Sequence, residues 1–346
     1  MALNVLYHIT NLPPKIPQTE AARQELDALR HHFGGDLIHL NPNQHSPIYL
    51  PRLLFGFHQL KRVRAAEADH HLHHLYNADP FPFPLVYWLR RPVIYSISSG
   101  LGTRVPNVAY FNRLAAVTVS DERSWARLRG WGVQNSFLVR PGVDTRGFNP
   151  APLPLKSEIR VMVGSAPWLT SQFRSKGIDA LLEAARQEPR LRLVFLWRGV
   201  LAKEIQARVN RHKLDSQVEI INRRTDVNQV LAGVHASVTL VTDPAIIRSY
   251  PHSLIESLAA GKPVLTSRSI PMAEYVESHR CGVVVEAVTV EAILTGLEQL
   301  IQDYAGLQAA ATRIGARDFS PAAMLDSFRA VYDAVLNLEL RSESNK

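Results

Sequence analysis

Short apolar segments alternate along the chain with longer segments of helical periodicity. Segments of four to seven residues rich in Val, Ile and Leu predict strands at 3–9, 36–40, 92–97, 115–119, 159–163, 191–196, 218–221, 237–241, 263–266 and 282–285. Apolar residues at helical spacing predict helices at 19–33, 121–129, 178–187, 201–212, 227–232, from 251, at 288–304 and at 321–338. Strands that are apolar on both faces are typical of parallel sheets covered by helices on both sides. The pattern therefore predicts an α/β protein with doubly wound parallel sheets.

A Pro- and Gly-rich segment divides this pattern into two halves. Residues 140–157 contain four prolines and two glycines, which is typical of a linker. The 346 residues also suffice for two domains of ordinary size. Because ligands of doubly wound sheets bind beyond the carboxyl ends of the strands, we expect a ligand site in the cleft between the two domains.

Composition excludes several other classes of protein. Hydrophobic residues make up 46% and charged residues 20%, which excludes a mainly disordered chain. Cys281 is the single cysteine, which excludes a disulfide scaffold. No apolar run has the length of a membrane span, and the first residues lack the pattern of a signal peptide. We therefore expect a cytoplasmic protein.

The segment 249–265, SYPHSLIESLAAGKPVL, has the features of a helix that follows a parallel strand. Pro251 suits the first helical turn, and Gly261 followed by Pro263 suits its end. The amides at the start of such a helix form an anion site, here those of His252, Ser253 and Leu254. Glu256 shares a helical face with His252 and is a carboxylate on an otherwise apolar helix, which indicates either a ligand contact or an ordinary surface residue.

Three segments together resemble the retaining glycosyltransferases of family four (glycosyl transferases group 1), which have the GT-B fold. IESLAAGKPV (255–264) is similar to their nucleotide-binding helix and the strand after it. VGSAPWLTSQFRSKGIDALLEAA (163–185) is similar to their phosphate-binding loop, and 117–133 with 139–150 to their inter-domain passage. The resemblance implies two Rossmann-like domains facing a cleft, an acceptor-binding domain at 1–145 and a nucleotide-sugar domain at 146–319. It also implies that a helix near 320–338 crosses back to the first domain.

The resemblance assigns roles to individual residues of the second domain. Glu256 would accept hydrogen bonds from the ribose hydroxyls, and Lys176 with Arg174 would hold the diphosphate. These cations suit the chemistry, because a departing nucleoside diphosphate gains negative charge in the transition state. The other donor contacts implied are Gly164, Ser165, Ile221, Arg223, His252, Ser253 and Leu254.

Arg248 departs from the family pattern. It occupies the position of the first glutamate of the pattern, which contacts the donor sugar, and an arginine has no acceptor to replace a carboxylate. Arg248 could bind a carboxylate or phosphate of a charged substrate, or the sugar contact could come from Asp243, or catalysis could be lost.

The acceptor side also departs from the pattern. The loop after the first strand contains three prolines instead of glycines, and Lys15 would supply its charge. In the loop SISSGLG (96–102), Ser98, Ser99 and Gly100 are candidate acceptor or phosphate contacts, with a plain turn as the alternative.

The segment DHHLHHLYNADPFPFP (69–84) concentrates four histidines. No cysteine accompanies them, and adjacent histidines on a strand point to opposite faces, which disfavours a metal site. The resemblance likewise implies no catalytic metal and no cofactor. We interpret the segment as a strand-end loop near the cleft, in which His73 contacts the acceptor.

The net charge of +8 is concentrated in the first half of the chain. Residues 1–150 carry 16 basic and 10 acidic side chains, against 23 and 21 in the remainder. The segment IYLPRLLFGFHQLKRVR (48–64) mixes apolar with basic residues and predicts a basic amphipathic helix. Such a helix either lies on an anionic membrane surface, giving a peripheral position on the inner membrane face, or packs on the core with an exposed basic end.

The leading hypothesis is a metal-independent retaining glycosyltransferase. Its donor would be a UDP- or GDP-linked sugar, and its acceptor a glycan, a lipid or a small molecule. The alternative is a non-catalytic protein that binds sugar nucleotides or glycans, motivated by Arg248. No nucleic-acid partner is expected, because the charge is diffuse and no nucleic-acid-binding motif is present.

Overall fold

The computed structural model describes residues 3–10, 20–43, 48–144, 147–148, 150–197, 199–223 and 225–344. The chain folds into two compact units, one formed by Met1–Gly142 with Pro321–Lys346 and the other by Val143–Ser320. Within the described ranges, each unit contains one six-stranded sheet whose strand pairs are all parallel. This is the α/β doubly wound architecture predicted from the alternating pattern.

The strands are short and mostly buried. Those of the first unit are β1 (Val5–Ile9), β2 (Gly35–His39), β3 (Leu72–Asn77), β4 (Val93–Ile97), β5 (Ala116–Val119) and β6 (Ser136–Leu138). Those of the second unit are β7 (Ile159–Val163), β8 (Leu191–Leu196), β9 (Val218–Ile221), β10 (Ala236–Thr239), β11 (Val264–Ser267) and β12 (Gly282–Val285). They lie in the order β2-β1-β3-β4-β5-β6 in the first sheet and β12-β11-β10-β7-β8-β9 in the second.

Helices connect the strands. They are α1 (Glu20–Phe33), α2 (Leu60–Ala66), α3 (Val108–Phe111), α4 (Glu122–Gly130), α5 (Gln172–Ser175), α6 (Ile178–Gln187), α7 (Ala202–His212), α8 (Val227–Ala232), α9 (His252–Ala259), α10 (Ala273–His279), α11 (Val290–Gln302), α12 (Tyr304–Asp318) and α13 (Pro321–Ser344). Short 3₁₀ turns lie at Arg52–Leu54, Phe57–Gln59 and Pro84–Trp88. Among the described residues no helix has the length and hydropathy needed to span a bilayer.

The last helix belongs to the core of the first unit. Phe328, Val331 and Tyr332 of α13 are buried in the same apolar cluster as Tyr7 of β1 and Leu26 of α1. The ring of Phe33 meets that of Tyr332 edge-on, with 4.9 Å between their centres. One face of the first sheet is therefore covered by the beginning and the end of the chain together.

Buried polar groups in the first sheet pair with one another. The Nε2 of His8 lies 2.9 Å from the Nδ1 of His73, and the Nε2 of His73 lies 3.0 Å from the carboxylate of Glu67. On the other face of β3, the ring of His74 joins the hydroxyls of Tyr332 and Ser96, each at 2.7 Å. Burial lowers the pKa of His74 to about 3, so this ring stays neutral and serves as a structural hydrogen-bonding group.

Six elements were not predicted, and two predicted helices differ from the structure. The additional elements are β3, β6, α3, α5, α10 and α12. The helix expected at 288–304 ends at Gln302, before α12 begins at Tyr304. The basic amphipathic helix predicted at 48–64 is instead two 3₁₀ turns followed by α2. Its continuity is broken at Gly56, whose φ of 83° is left-handed and whose missing Cβ makes room for Leu85.

Candidate functional site

The second sheet reverses its winding between β7 and β10, which lie side by side. The chain continues from β7 through β8 and β9 on one side, and β10, β11 and β12 extend the sheet on the other. In doubly wound sheets the loops beyond the carboxyl ends of the strands at such a point form the ligand site. The loops after β7 and β10 therefore form the candidate site.

Gly164, directly after β7, is in close contact with the start of α9. A Cβ placed on Gly164 would lie 2.5 Å from the Cβ of Ser253 and 3.0 Å from its Oγ. Only a glycine therefore permits this approach of the β7 loop to the first turn of α9. The hydroxyl of Ser253 also lies 3.5 Å from that of Thr239, at the end of β10.

Lys176 is placed beside the same loop by the turn between α5 and α6. Its Nζ donates hydrogen bonds to the Oγ of Ser165 at 3.2 Å and to the carbonyl of Ala166 at 2.9 Å. The residue is only 8% exposed, and this burial lowers the pKa of its ammonium below the ordinary value. A cation held in this way is incompletely solvated, so an anion that reaches it gains a strong charge-assisted hydrogen bond.

The turn that carries Lys176 is fixed to the end of β10. The amide of Thr242 donates to the carbonyl of Ser175 at 2.9 Å. Gly177 has a φ of 67°, and a Cβ there would lie 2.9 Å from the Cβ of Leu240. The positive φ and the close approach both explain why a glycine follows Lys176.

The helix α9 lies in the predicted segment, with differences at Pro251 and Leu254. Pro251 is the N-cap, and the Nδ1 of His252 lies 3.3 Å from the Oε1 of Glu256 one turn later. The amide of Leu254, however, donates to the carbonyl of Pro251 at 3.0 Å, and its side chain is completely buried. The predicted ligand contact of Leu254 therefore does not agree with the structure, because both its amide and its side chain are occupied within the protein.

The remaining predicted donor residues also lie in the second unit. Arg174, in α5, is exposed, and its guanidinium has no hydrogen-bond or ion-pair partner within the described residues. Arg248 is exposed, and its Nε donates to the carbonyl of Ala245 at 3.2 Å. Ile221 ends β9, and Arg223 is exposed just after it.

Asn222, between those two residues, was not recognised from the sequence. Its Oδ1 accepts a hydrogen bond from the amide of Gly199 at 2.7 Å, which joins the loops after β8 and β9. A lone asparagine after a strand gives no signal of such a bridge.

The predicted acceptor residues are only partly accessible. Ser99 is exposed after β4, Ser98 is half-buried, and Gly100 is buried with a φ of 70°. Lys15 lies outside the described residues. The expectation of a strand-end loop that presents His73 is wrong, because His73 lies within β3 with no exposed surface and bonds to His8 and Glu67.

Polar residues that the sequence did not single out gather where β1 and β3 end, which is the winding reversal of the first sheet. The hydroxyl of Thr10 donates to the Oδ1 of Asn77. Arg52 forms a bidentate pair with Asp79, at 2.6 and 3.0 Å, and stacks over the ring of Phe81 at 4.2 Å. Thr10 and Asn77 are 67 residues apart, and neither belongs to a sequence motif that indicates their hydrogen bond. Among the described residues, no group of three or more His, Cys, Asp or Glu side chains could hold a metal ion.

Comparison with known proteins identifies the family of the second unit. The family model of glycosyl transferases group 1 matches residues 165–317, which include Lys176, Arg248 and Glu256. Residues 165–317 therefore match the glycosyl transferases group 1 family.

A curated relative and solved structures agree with this assignment. The lipopolysaccharide glucosyltransferase WaaG of Escherichia coli (strain K12) is 29% identical over 119 residues, which are 33% of this chain. The match spans 31% of the length of that relative. Over whole chains, the structure is similar to Anabaena HepE in complex with UDP, with a TM-score of 0.74, 15% identity and coverage of 96% and 100% of the two chains. A glycosyltransferase from Rickettsia africae gives a TM-score of 0.75 at 13% identity, covering 96% and 98%. These similarities show that the fold is that of the GT-B glycosyltransferases.

Proposed function

We propose that the protein transfers a sugar from a nucleotide-diphospho-sugar to an acceptor, with retention at the anomeric carbon and without a metal ion. The observation that carries the proposal is the contact of Gly164 with Ser253 beside the buried Lys176. It brings a cation and the positive end of α9 to one point, as recognition of a diphosphate requires.

Different donor-site residues would bind the diphosphate and the ribose. Lys176 would give up its hydrogen bonds to Ser165 and Ala166 and donate to the diphosphate instead. Arg174, exposed and unpaired within the described residues, would add a second cation. Glu256, held by His252, would accept from the ribose hydroxyls. The UDP-bound state of the Anabaena structure supports a uridine nucleotide as the first donor to test.

The chemical step follows from the same residues. As the bond between sugar and phosphate breaks, negative charge develops on the departing diphosphate, and fixed cations stabilise it. In this proposal no side chain of the protein forms a covalent bond to the sugar, and catalysis depends on positioning and electrostatics. The acceptor would be a glycan, a lipid or a small molecule bound by the first unit, with Ser98, Ser99 and the segment of Lys15 as candidate contacts.

Nucleotide binding by calorimetry tests the donor site. We expect UDP or GDP to bind, and Lys176→Ala to weaken binding by about 10- to 100-fold, the loss expected for a hydrogen bond to a charged group. Glu256→Gln should weaken nucleotide binding without changing the affinity for inorganic diphosphate. Lys203→Ala and Glu298→Gln, at exposed positions of α7 and α11, are matched controls that should bind as the unmodified protein does. Binding that is equal in all five proteins would refute the assignment.

Product analysis tests the reaction itself. With the nucleotide-sugar that binds best, transfer or slow donor hydrolysis should continue in the presence of a chelator, and the anomeric configuration of the product should equal that of the donor. Activity that requires added Mg²⁺ or Mn²⁺, or an inverted product, would contradict the corresponding part of the proposal.

Arg248 motivates a second candidate, a sugar-nucleotide-binding protein without turnover. The exposed guanidinium offers only donors at the position where the family pattern has a carboxylate. Binding of a nucleotide-sugar with no transfer and no hydrolysis would favour this candidate. If Arg248 instead recognises a charged sugar, Arg248→Gln should lower the affinity for a uronic-acid donor and leave UDP binding unchanged.

A further inference from the structure

A cavity of about 340 Å³ lies at the amino edge of the first sheet, where β4 and β5 begin. Its wall combines three arginines, Arg90, Arg91 and Arg113, with the rings of Tyr87 and Tyr110. The guanidinium of Arg113 lies 5.7 Å from the centre of the Tyr87 ring. The cavity is thus a basic recess with aromatic walls, and none of the residues assigned to donor or acceptor binding lines it.

The charged side chains that line this cavity are all arginines. The segments 60–66, 84–93 and 108–115 contain six arginine and lysine side chains and no aspartate or glutamate. Among the described residues, no carboxylate pairs with the guanidinium of Arg90, Arg91 or Arg113, and the Nε of Arg91 donates to the backbone carbonyl of Glu67 at 3.3 Å. The carboxylate of Glu67 is itself buried and accepts from His73 and from the amide of Arg90. These arginines are therefore available to an external anion.

Large aromatic side chains stand exposed next to the arginines. Tyr87 is 55% and Trp88 is 51% exposed, in the turn that directly precedes Arg90. The Nε of Arg64 donates to the carbonyl of Trp88 at 3.1 Å, which fastens α2 to this turn. The exposed cations of α2 therefore belong to the same region. We call it the basic aromatic surface, formed by Lys61, Arg62, Tyr87, Trp88, Arg90, Arg91 and Arg113.

We propose that the basic aromatic surface binds the phosphate headgroups of an anionic lipid bilayer. Trp and Tyr rings that are half exposed suit the boundary between headgroups and acyl chains, because one end of each ring is apolar and the other polar. Arginines bind phosphate through two parallel hydrogen bonds, and the cavity offers room for one headgroup. The surface lies at the amino edge of the sheet, whereas Ser98 and Ser99 follow the carboxyl end of β4. Bilayer binding thus leaves that loop accessible, and the proposal does not depend on the sugar-transfer reaction.

Co-sedimentation of the full chain with vesicles tests the proposal. Vesicles of phosphatidylglycerol with phosphatidylcholine should bind the protein, vesicles of phosphatidylcholine alone should not, and added salt should weaken binding. Arg90→Gln with Arg91→Gln should reduce binding about 30-fold, from about 1 kcal/mol per cation near an anionic membrane. The charge-matched control is Arg123→Gln with Arg129→Gln on α4 of the same unit, which should bind as before. Equal losses in the two double variants would overturn the proposal.

A second measurement reports on Trp88 directly. Brominated lipids should quench part of the tryptophan fluorescence, and Trp88→Phe should remove that part while Trp125→Phe, at an exposed Trp on α4, should not. The absence of quenching at Trp88 would overturn the proposal even if the protein sediments with vesicles.

The same protein preparations distinguish other anions. Inorganic phosphate should protect Arg90 and Arg91 from arginine-modifying reagent far less than anionic vesicles do at equal phosphate concentration. Equal protection by phosphate would show that the ligand is a soluble phosphate and not a bilayer. A single-stranded oligonucleotide is the third candidate ligand. If it binds the unmodified protein, does not bind the Arg90/Arg91 double variant and is not displaced by vesicles, the ligand is nucleic acid and not a bilayer.

Discussion

The contact between Gly164 and Ser253 allows one prediction to be worked out in detail. Gly164 has no positive φ, so Gly164→Ala introduces no backbone strain and changes only the space between the β7 loop and α9. The added Cβ would meet the Cβ of Ser253 at 2.5 Å, whereas carbon atoms in contact prefer about 3.5–4.0 Å. The loop and the helix must therefore separate by about 1 Å.

Separation of this size has a calculable cost. Overpacking of a well-packed site costs about 1–3 kcal/mol, of which a glycine-to-alanine change offsets about 0.4–1 kcal/mol through the unfolded state. We expect Gly164→Ala to lower the free energy of unfolding of the second unit by about 1–2 kcal/mol. For a unit of this size, that corresponds to a melting temperature lower by about 2–8 °C in scanning calorimetry.

Two substitutions at Ser253 distinguish the contact from a general effect of the mutation. Ser253→Gly removes both the Cβ and the Oγ that the new methyl group would meet, whereas Ser253→Ala removes only the Oγ. Gly164→Ala should therefore cost little in the Ser253→Gly background and its full amount in the Ser253→Ala background, a coupling of about 1 kcal/mol or more. If Gly164→Ala costs the same in both backgrounds, the reasoning from the contact is refuted.

Three further predictions concern packing and titration. Gly315→Ala should destabilise the protein by more than about 3 kcal/mol in urea unfolding, because its Cβ would lie 1.9 Å from the carbonyl oxygen of Leu258. The control Gly306→Ala, on the same helix, meets no atom and should stabilise the protein by about 0.5–1 kcal/mol. Similar effects at the two glycines would contradict this prediction. Tyr332→Phe should cost about 1–3 kcal/mol in urea unfolding, because the buried Nδ1 of His74 loses its partner, whereas an exposed control, Tyr49→Phe, should change stability little. Asp121 caps α4, and burial raises the pKa of its carboxyl to about 6. A raised pKa favours folding below the unfolded pKa near 4, and this contribution is lost as the pH rises through 6. The stability of Asp121→Asn relative to the unmodified protein should therefore increase by about 2 kcal/mol between pH 4 and pH 7. A difference that does not change over this pH range would show that Asp121 ionises normally.

The strands and the α9 segment could be predicted because their signals are local. β7, β8, β9 and β12 have the predicted bounds, since each is a short apolar run between polar loops. β3 was missed because it contains His73, His74 and Asn77, residues that normally indicate a polar loop. Their burial depends on partners far along the chain, such as Tyr332 for His74, and a local pattern does not contain that information.

The candidate site shows the same limit. Glycine at position 164 and serine at position 253 are each unremarkable in sequence, and only the pairing of β7 with β10 brings them together. The use of the Leu254 amide within its own helix turn likewise depends on the conformation of Pro251, which caps α9 in place of entering its first turn. The motifs therefore indicate which residues are candidates for the site, but they do not show which of those residues are free to contact a ligand.

The position of α13 has a consequence for synthesis of the chain. The first unit needs Phe328 and Tyr332 to complete the core around Tyr7, yet the whole of Val143–Ser320 is translated before them. The second unit can therefore fold on the ribosome while this face of the first sheet is covered by α1 alone. During that interval the apolar surface that α13 later covers is open to chaperones, and a stop codon just before Pro321 would leave it exposed permanently.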